Sequence, residues 1–343
     1  MTDQAPGCGW RSNVRRALVV TLAMTAISAA EASAQRVRLL AIGNSFSRNV
    51  LDQLPAIAVA AGRELVVLHC AMPGGRLEQH WQRHEAARRD PSDPKARYNN
   101  GLTLDQALAR DSWDVITIQQ YSLQCHDAAS YQPYAGRLVE VLRRADPQAR
   151  ILLHQSWAYR CDDPRFTAAP SAFEQESNRA EAAGLAEPPP GMHGSVDMHR
   201  MIAEATRQVA DSLGLGVIPS GDAFALAEAD ATWGFVTDPA WDPQAAAPPS
   251  LPEQSRSLHV GWYWKTKDGQ PVRASDGALR PSYDGHHANA CGSYLAACVW
   301  FAVLFNASPI GITYRPGGMP AEQAAFLQQT AQRAAAAWPP RRP

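Results

Sequence analysis

The chain has no long run of like charge. Its 32 Lys and Arg are balanced by 33 Asp and Glu, leaving a formal net charge of −1. No basic surface of the kind that holds nucleic acid is therefore expected. The sequence also lacks CxxC pairs and an HExxH stretch, so neither a structural zinc site nor a metalloprotease helix is expected. No apolar run comfortably reaches the ~20 residues needed to span a bilayer. Internal repeats and low-complexity tracts are missing too, which argues against solenoids and propellers. What is present is ordinary globular composition, with 45% apolar and 19% charged residues over 343 positions. That suits one large α/β domain with insertions, or two small domains.

The N-terminus looks like an address. Arg11, Arg15 and Arg16 precede an apolar run from Ala17 to Ala30, and Ala32-Ser33-Ala34 precedes Gln35. A basic start, a short apolar centre and small residues make a cleavable secretory signal over residues 1–34. The alternative, a membrane anchor, is disfavoured by the shortness of the run. A periplasmic or secreted protein, without stable membrane insertion after cleavage, is expected to begin near Gln35. Five cysteines remain beyond Cys8. Cys291 and Cys298 sit in a helix-like stretch as free thiols, and Cys125 with Cys161 is the one pair considered for a bridge.

Apolar runs of strand length recur at Val37–Ile42, Leu65–Cys70, Val115–Gln119, Ile151–His154 and Val217–Pro219. Helical patterns lie between and after them: Ser47–Ala61, Leu104–Ala109, Tyr131–Arg144, Met198–Leu213, Asn289–Asn306 and Ala321–Ala337, with Asp197 a candidate cap. This alternation predicts a three-layer α/β/α sandwich on a mostly parallel sheet of about five strands. One domain over 35–343 is expected, interrupted by insertions at about 161–192 and 233–281. Both are expected over the carboxyl edge of the sheet, where open α/β sheets bind ligands. The second carries Trp262-Tyr263-Trp264 and a turn at Asp268-Gly269.

The first strand runs into Gly43-Asn44-Ser45. Ser45 is either a helix cap or a nucleophile. A nucleophile needs a base and an acid to orient it. Asp284 and His287, three apart before a predicted helix, supply both; taken alone, His287 is more often a packed histidine than a base. A loop entering a helix lets the carboxylate meet one ring nitrogen and leaves the other for Ser45. The adjacent His286 is expected to point elsewhere.

Gly43-Asn44-Ser45 after a first strand, with Asp284-x-x-His287 before a late helix, resembles the SGNH (GDSL-type) hydrolase superfamily. Pro73-Gly74-Gly75-Arg76-Leu77 stands where its second block falls. Its third block is usually Gly-x-Asn-Asp; here Gln119-Gln120-Tyr121 departs from that and resembles the Gln-Gly block of sialate and acetyl-xylan esterase relatives. The resemblance implies a flavodoxin-like fold and a serine ester hydrolase without a cofactor. Ser45 attacks, His287 carries the proton, and Asp284 orients His287. The N–H groups of Ser45 and Gly75 and the Gln120 amide are the implied oxyanion donors. Asn44 is expected to bond locally.

The plainer alternatives are a turn for Gly74-Gly75 and strand-end pairing for Gln119 and Gln120. Gly74, Gln119, Trp157, Trp262 and Trp264 are candidate substrate contacts, with packing of an insertion the alternative for the tryptophans. His80 and His84, four apart, are expected on a solvated helix face. His193 and His199 are not expected to be ligands, and no metal site is expected. The expected substrate is a short acyl ester, acetyl foremost, on a carbohydrate. An acyltransferase on the same triad and a non-catalytic carbohydrate-binding protein are the alternatives.

Overall fold

The computed structural model describes residues 35–167, 192–273 and 277–339. The expected leader at 1–34 and most of the first insertion lie outside them. Five strands form the main sheet: β1 (Arg36–Gly43), β2 (Glu64–Ala71), β3 (Val115–Ile118), β4 (Arg150–His154) and β5 (Gly216–Ile218). All pair in parallel, in the order β2-β1-β3-β4-β5. The fold is the expected α/β/α sandwich. Central strands are mainly apolar because helices cover both faces; Leu39 through Ile42 are fully buried.

The helices are α1 (Ser45–Leu51), α2 (Leu54–Ala60), α3 (Leu77–Arg89), α4 (Leu104–Leu108), α5 (Tyr134–Ala145), α6 (Pro164–Thr167), α7 (Ser195–Leu213), α8 (Ser220–Glu228), α9 (Ala290–Phe305) and α10 (Ala321–Ala336). Helices α1, α2, α8 and α10 all touch α9 and form one layer; α3, α4 and α5 form the other. Helix α9 is apolar all round, as a helix packed on every side must be. Each of its buried leucines and phenylalanines contributes about 1.5–3 kcal/mol. No helix among the described residues is long and apolar enough to cross a membrane.

Several local expectations change. The helix expected over 47–61 is two helices, because Pro55, the second residue of α2, has no N–H to donate into the first. Asp197 does not cap α7; Gly194 does. His80 and His84 are buried rather than solvated, since α3 turns their face onto Tyr98 and α4. Cys125 and Cys161 are free thiols, one buried and the other exposed.

The second insertion leaves from α8 rather than directly from a strand. It contributes β6 (His259–Tyr263) and a hairpin of β7 (Thr266–Lys267) and β8 (Gln270–Pro271). Asp268 (φ 52°) and Gly269 (φ 75°) make the hairpin turn where the dipeptide suggests. Strand β6 pairs antiparallel with β9 (Ser282–Ala288), placing Gly261 opposite Asp284. The Asp-x-x-His segment thus lies on a strand, not in a loop.

The order 2-1-3-4-5 reverses between β1 and β3. That reversal opens a crevice at the carboxyl ends of these two strands. Ser45 leaves β1 there, and Gln119 leaves β3 beside it.

Candidate active site

Gly43 ends β1 where a side chain has no room. A Cβ there would lie 2.6 Å from Ser47 Oγ and 2.7 Å from Gln119 Oε1. Asn44 then caps α1. Its Oδ1 accepts from Phe46 N at 3.0 Å, so the cap is Asn44 and Ser45 is the first helical residue. The Ser45 N–H is one of the unpaired donors of a first helical turn and has no partner among the described residues. The residue itself is half-buried, so its hydroxyl can be reached.

Strand β9 brings the other partners across some 240 residues. Ser45 Oγ lies 2.8 Å from His287 Nε2. His287 Nδ1 lies 2.8 Å from Asp284 Oδ2. A proton on Nδ1 satisfies both contacts, since Nδ1–H then donates to the carboxylate and Nε2 accepts from the serine. The other carboxylate oxygen, Oδ1, accepts the backbone N–H groups of His286 at 3.2 Å and His287 at 3.0 Å. Burial raises the Asp284 pKa. The His287 hydrogen bond and the neighbouring imidazoles outweigh burial and hold it well below the usual carboxylate range.

His286 does not point elsewhere. Its Nδ1 lies 3.0 Å from Asp284 Oδ1, and its ring lies 4.0 Å from that of His287. One carboxylate therefore serves two imidazoles. Burial, then the neighbouring His287, lower the His286 pKa to about 4. Arg165, paired with Asp163 at 2.7 Å, approaches His286 Nδ1 at 3.4 Å.

The expected oxyanion donors fare differently. Met72-Pro73-Gly74-Gly75 is a turn with proline second and Gly74 at φ 59°, as type II turns favour. Its closing bond uses the Gly75 N–H, which donates to Met72 O at 3.0 Å. The Gly75 carbonyl accepts from Asn44 Nδ2 at 3.1 Å. Gln120 is 1% exposed. Its amide nitrogen donates to Ser130 O at 2.8 Å, and its Oε1 accepts from Leu77 N at 3.1 Å and Tyr121 N at 2.9 Å. In this arrangement Gln120 is a brace between β3 and α3 and offers no donor to a substrate. Gln119 is buried as well, donating to Asn44 Oδ1 at 3.0 Å and Ser156 Oγ at 3.3 Å.

Asn44 is thus the residue that sequence reasoning undervalued. It ties Phe46, Gly75 and Gln119 together beside Ser45. Its position before a helix start was a usable signal. Its long-range partners were not legible.

Trp157 is fully buried and cannot be a sugar platform. Its ring stacks between Phe46 at 4.3 Å and Phe224 at 4.6 Å, and its Nε1–H donates to His286 O at 2.9 Å. Trp262 is partly exposed on β6, 4.8 Å from Tyr283. Trp264 is half-buried and donates to Ser250 O at 2.9 Å. Gly74 is exposed at the tip of its turn. His193 is exposed, and His199 lies 3.6 Å from Asp222.

Residues 38–176 match the family model described as "Domain of unknown function (DUF4886)". A DUF4886 family protein from Bacteroides uniformis has a similar crystal structure, with a TM-score of 0.61 and 22% identity over 88% of this chain and 95% of that one. This likeness supports the fold. More distant is a protein from Slackia heliotrinireducens provisionally assigned to the SGNH hydrolases, at TM-score 0.42 and 20% identity over 79% of this chain and 100% of that one. A protein from Parabacteroides merdae provisionally called a GDSL-like lipase gives TM-score 0.42 and 12% identity over 80% and 98% of the two chains. Neither of these two superpositions is close enough to bear on chemistry. No curated protein matches the chain.

Proposed function

We propose that the protein is a serine esterase of SGNH type that hydrolyses a short acyl ester, acetyl foremost, on a carbohydrate. One observation carries the chemistry: the hydrogen-bonded line from Ser45 Oγ through His287 to Asp284, 2.8 Å at each step. Ser45 attacks the ester carbonyl while His287 Nε2 takes its proton. The tetrahedral intermediate collapses, and the imidazolium returns that proton to the leaving alcohol. Water, activated by the same nitrogen, then releases the acid and restores Ser45. Asp284 fixes the Nδ1–H tautomer and stabilises the imidazolium that forms.

The Ser45 N–H is the oxyanion donor left open by this geometry. The Gly75 N–H would serve only by sharing its hydrogen with Met72. The carbohydrate is supported by Trp262, which presents a partly exposed ring beside Tyr283, the neighbour of Asp284 in sequence. The leader-like N-terminus is consistent with a substrate outside the cytoplasm.

Acetate release from a panel of acetylated polysaccharides tests this function. Wild-type protein is expected to release acetate and Ser45→Ala to release none above background. Equal release by the two would contradict it.

A further inference from the structure

We infer that Asp284, His286 and His287 form a site for a divalent transition-metal ion of the zinc type, and that its occupation switches Ser45 off. The three residues bring one carboxylate and two imidazoles together, with candidate ligand atoms all within 4.8 Å of one another. Their side chains are 21%, 29% and 31% exposed, so an ion can reach them from solvent. Two imidazoles and a carboxylate are the donor set zinc takes when it keeps a fourth position for water.

The distances fit after rotation of the side chains. Both Nδ1 atoms face Asp284, at 2.8 Å from Oδ2 and 3.0 Å from Oδ1. Two ligands about 2.1 Å from a tetrahedral zinc lie about 3.4 Å apart. These two contacts must therefore open by about 0.4–0.6 Å, and the widest pair of ligand atoms, up to 4.8 Å apart, must close by up to about 1.4 Å. Partly exposed side chains can move that far. Arg165 opposes the ion with its charge, 3.4 Å from His286 Nδ1, but Asp163 pairs with that charge.

The consequence follows from the tautomer. Catalysis needs the His287 proton on Nδ1, with Nε2 free to accept from Ser45. A metal bound at Nδ1 takes that lone pair and leaves the ring proton on Nε2, facing Ser45 Oγ. The base can no longer accept. No bond to substrate or serine is made, and the block ends when the ion leaves. The ion is thus an inhibitor, not a cofactor. Only this consequence rests on the esterase reading; the binding does not.

Zinc chloride titrated into the untagged full chain, followed by calorimetry, tests the site without any substrate. Wild type and Ser45→Ala should each bind one zinc per chain with equal affinity. His286→Gln and Asp284→Asn should each bind at least about tenfold more weakly. These two substitutions remove different ligands, so a folding defect in one leaves the other informative. In parallel, zinc should slow fluorophosphonate labelling of wild-type Ser45 at least about tenfold. EDTA should restore the rate, and His286→Gln should be far less sensitive to zinc. Absence of saturable binding, or binding indifferent to both substitutions, overturns the site. Failure of Ser45 to label in zinc-free buffer counts against the esterase reading instead, and the calorimetry still decides the metal site.

Discussion

The indole of Trp157 donates to the carbonyl oxygen of His286 across 2.9 Å. The same ring stacks on Phe46, the residue after Ser45. A single buried side chain thus spans from the nucleophile's helix to the base's strand. Its thickness and its N–H together set the approach of His287 to Ser45. Trp157→Phe keeps an aromatic ring in the stack and deletes the donor. It is expected to lower kcat about tenfold with KM nearly unchanged, because misplacement of a base costs rate before it costs binding. Steady-state kinetics beside a melting curve checks this. A fall in stability with normal kcat would leave Trp157 as packing alone.

Gln120 and Asn44 should separate in the opposite sense from an oxyanion role for Gln120. Gln120→Ala strands the Leu77 and Tyr121 N–H groups and the Ser130 carbonyl, at about 1–3 kcal/mol for each group left unpaired. It should melt earlier, with kcat within about threefold of wild type. Asn44→Asp sets a carboxylate oxygen against the Gly75 carbonyl, where an amide now donates at 3.1 Å. It should lower kcat at least about tenfold. Measuring kcat and melting temperature for both on one soluble ester decides. A crippled Gln120→Ala enzyme with normal stability would return the oxyanion role to that residue.

The sheet was legible because buried parallel strands are short apolar runs bounded by polar helices. All five appear within about two residues of their expected ends. The position of Ser45 was legible for a similar reason, since a short motif directly after a strand fixes which sheet edge a side chain occupies. The pairing of Asp284 with His287 was legible from their spacing, but the strand that carries them was not. Side-chain direction was not legible. Gln119 and Gln120 sit where expected but turn their amides inward, onto partners far away in sequence. Trp157 looks like an exposed platform only until Phe46 and Phe224 close over it. His286 was misjudged because the shared carboxylate has no sequence signature. Strand β9 was hidden because its partner β6 lies in an insertion with no regular apolar pattern.

Acid should destabilise the fold well above the carboxylate range. Burial lowers the pKa of His154 to about 3, and that of His69 and His259 to about 4. The unfolded chain then binds protons that the native state refuses. Stability is therefore lost as pH falls from the unfolded histidine value of about 6.5 toward about 4, and the loss levels off only where the native rings also protonate. Neither ring nitrogen of His154 has a hydrogen-bond partner among the described residues. His154→Phe should flatten the fall of melting temperature between pH 6.5 and 4. A melting profile as steep as wild type would show that other groups govern it. Asp284 works in a lower window, because its depressed pKa adds stability that is present above about 3.9 and lost below.

Trp262 should matter for large substrates only. Trp262→Ala is expected to raise KM for an acetylated oligosaccharide about fivefold or more, and to leave KM for p-nitrophenyl acetate within about twofold. Kinetics on the two substrates with one enzyme preparation gives the comparison. Equal changes on both would place Trp262 in packing against Tyr283, not in sugar contact.

The central claim is that Ser45 is a nucleophile activated by His287. The most direct measurement is fluorophosphonate labelling followed by mass spectrometry of the peptide containing Ser45. Wild type is expected to carry one label, on Ser45. Ser45→Ala should carry none, and His287→Ala and Asp284→Asn should label at least about a hundredfold more slowly. An unlabelled wild-type chain, or a label that persists in Ser45→Ala, would contradict the account.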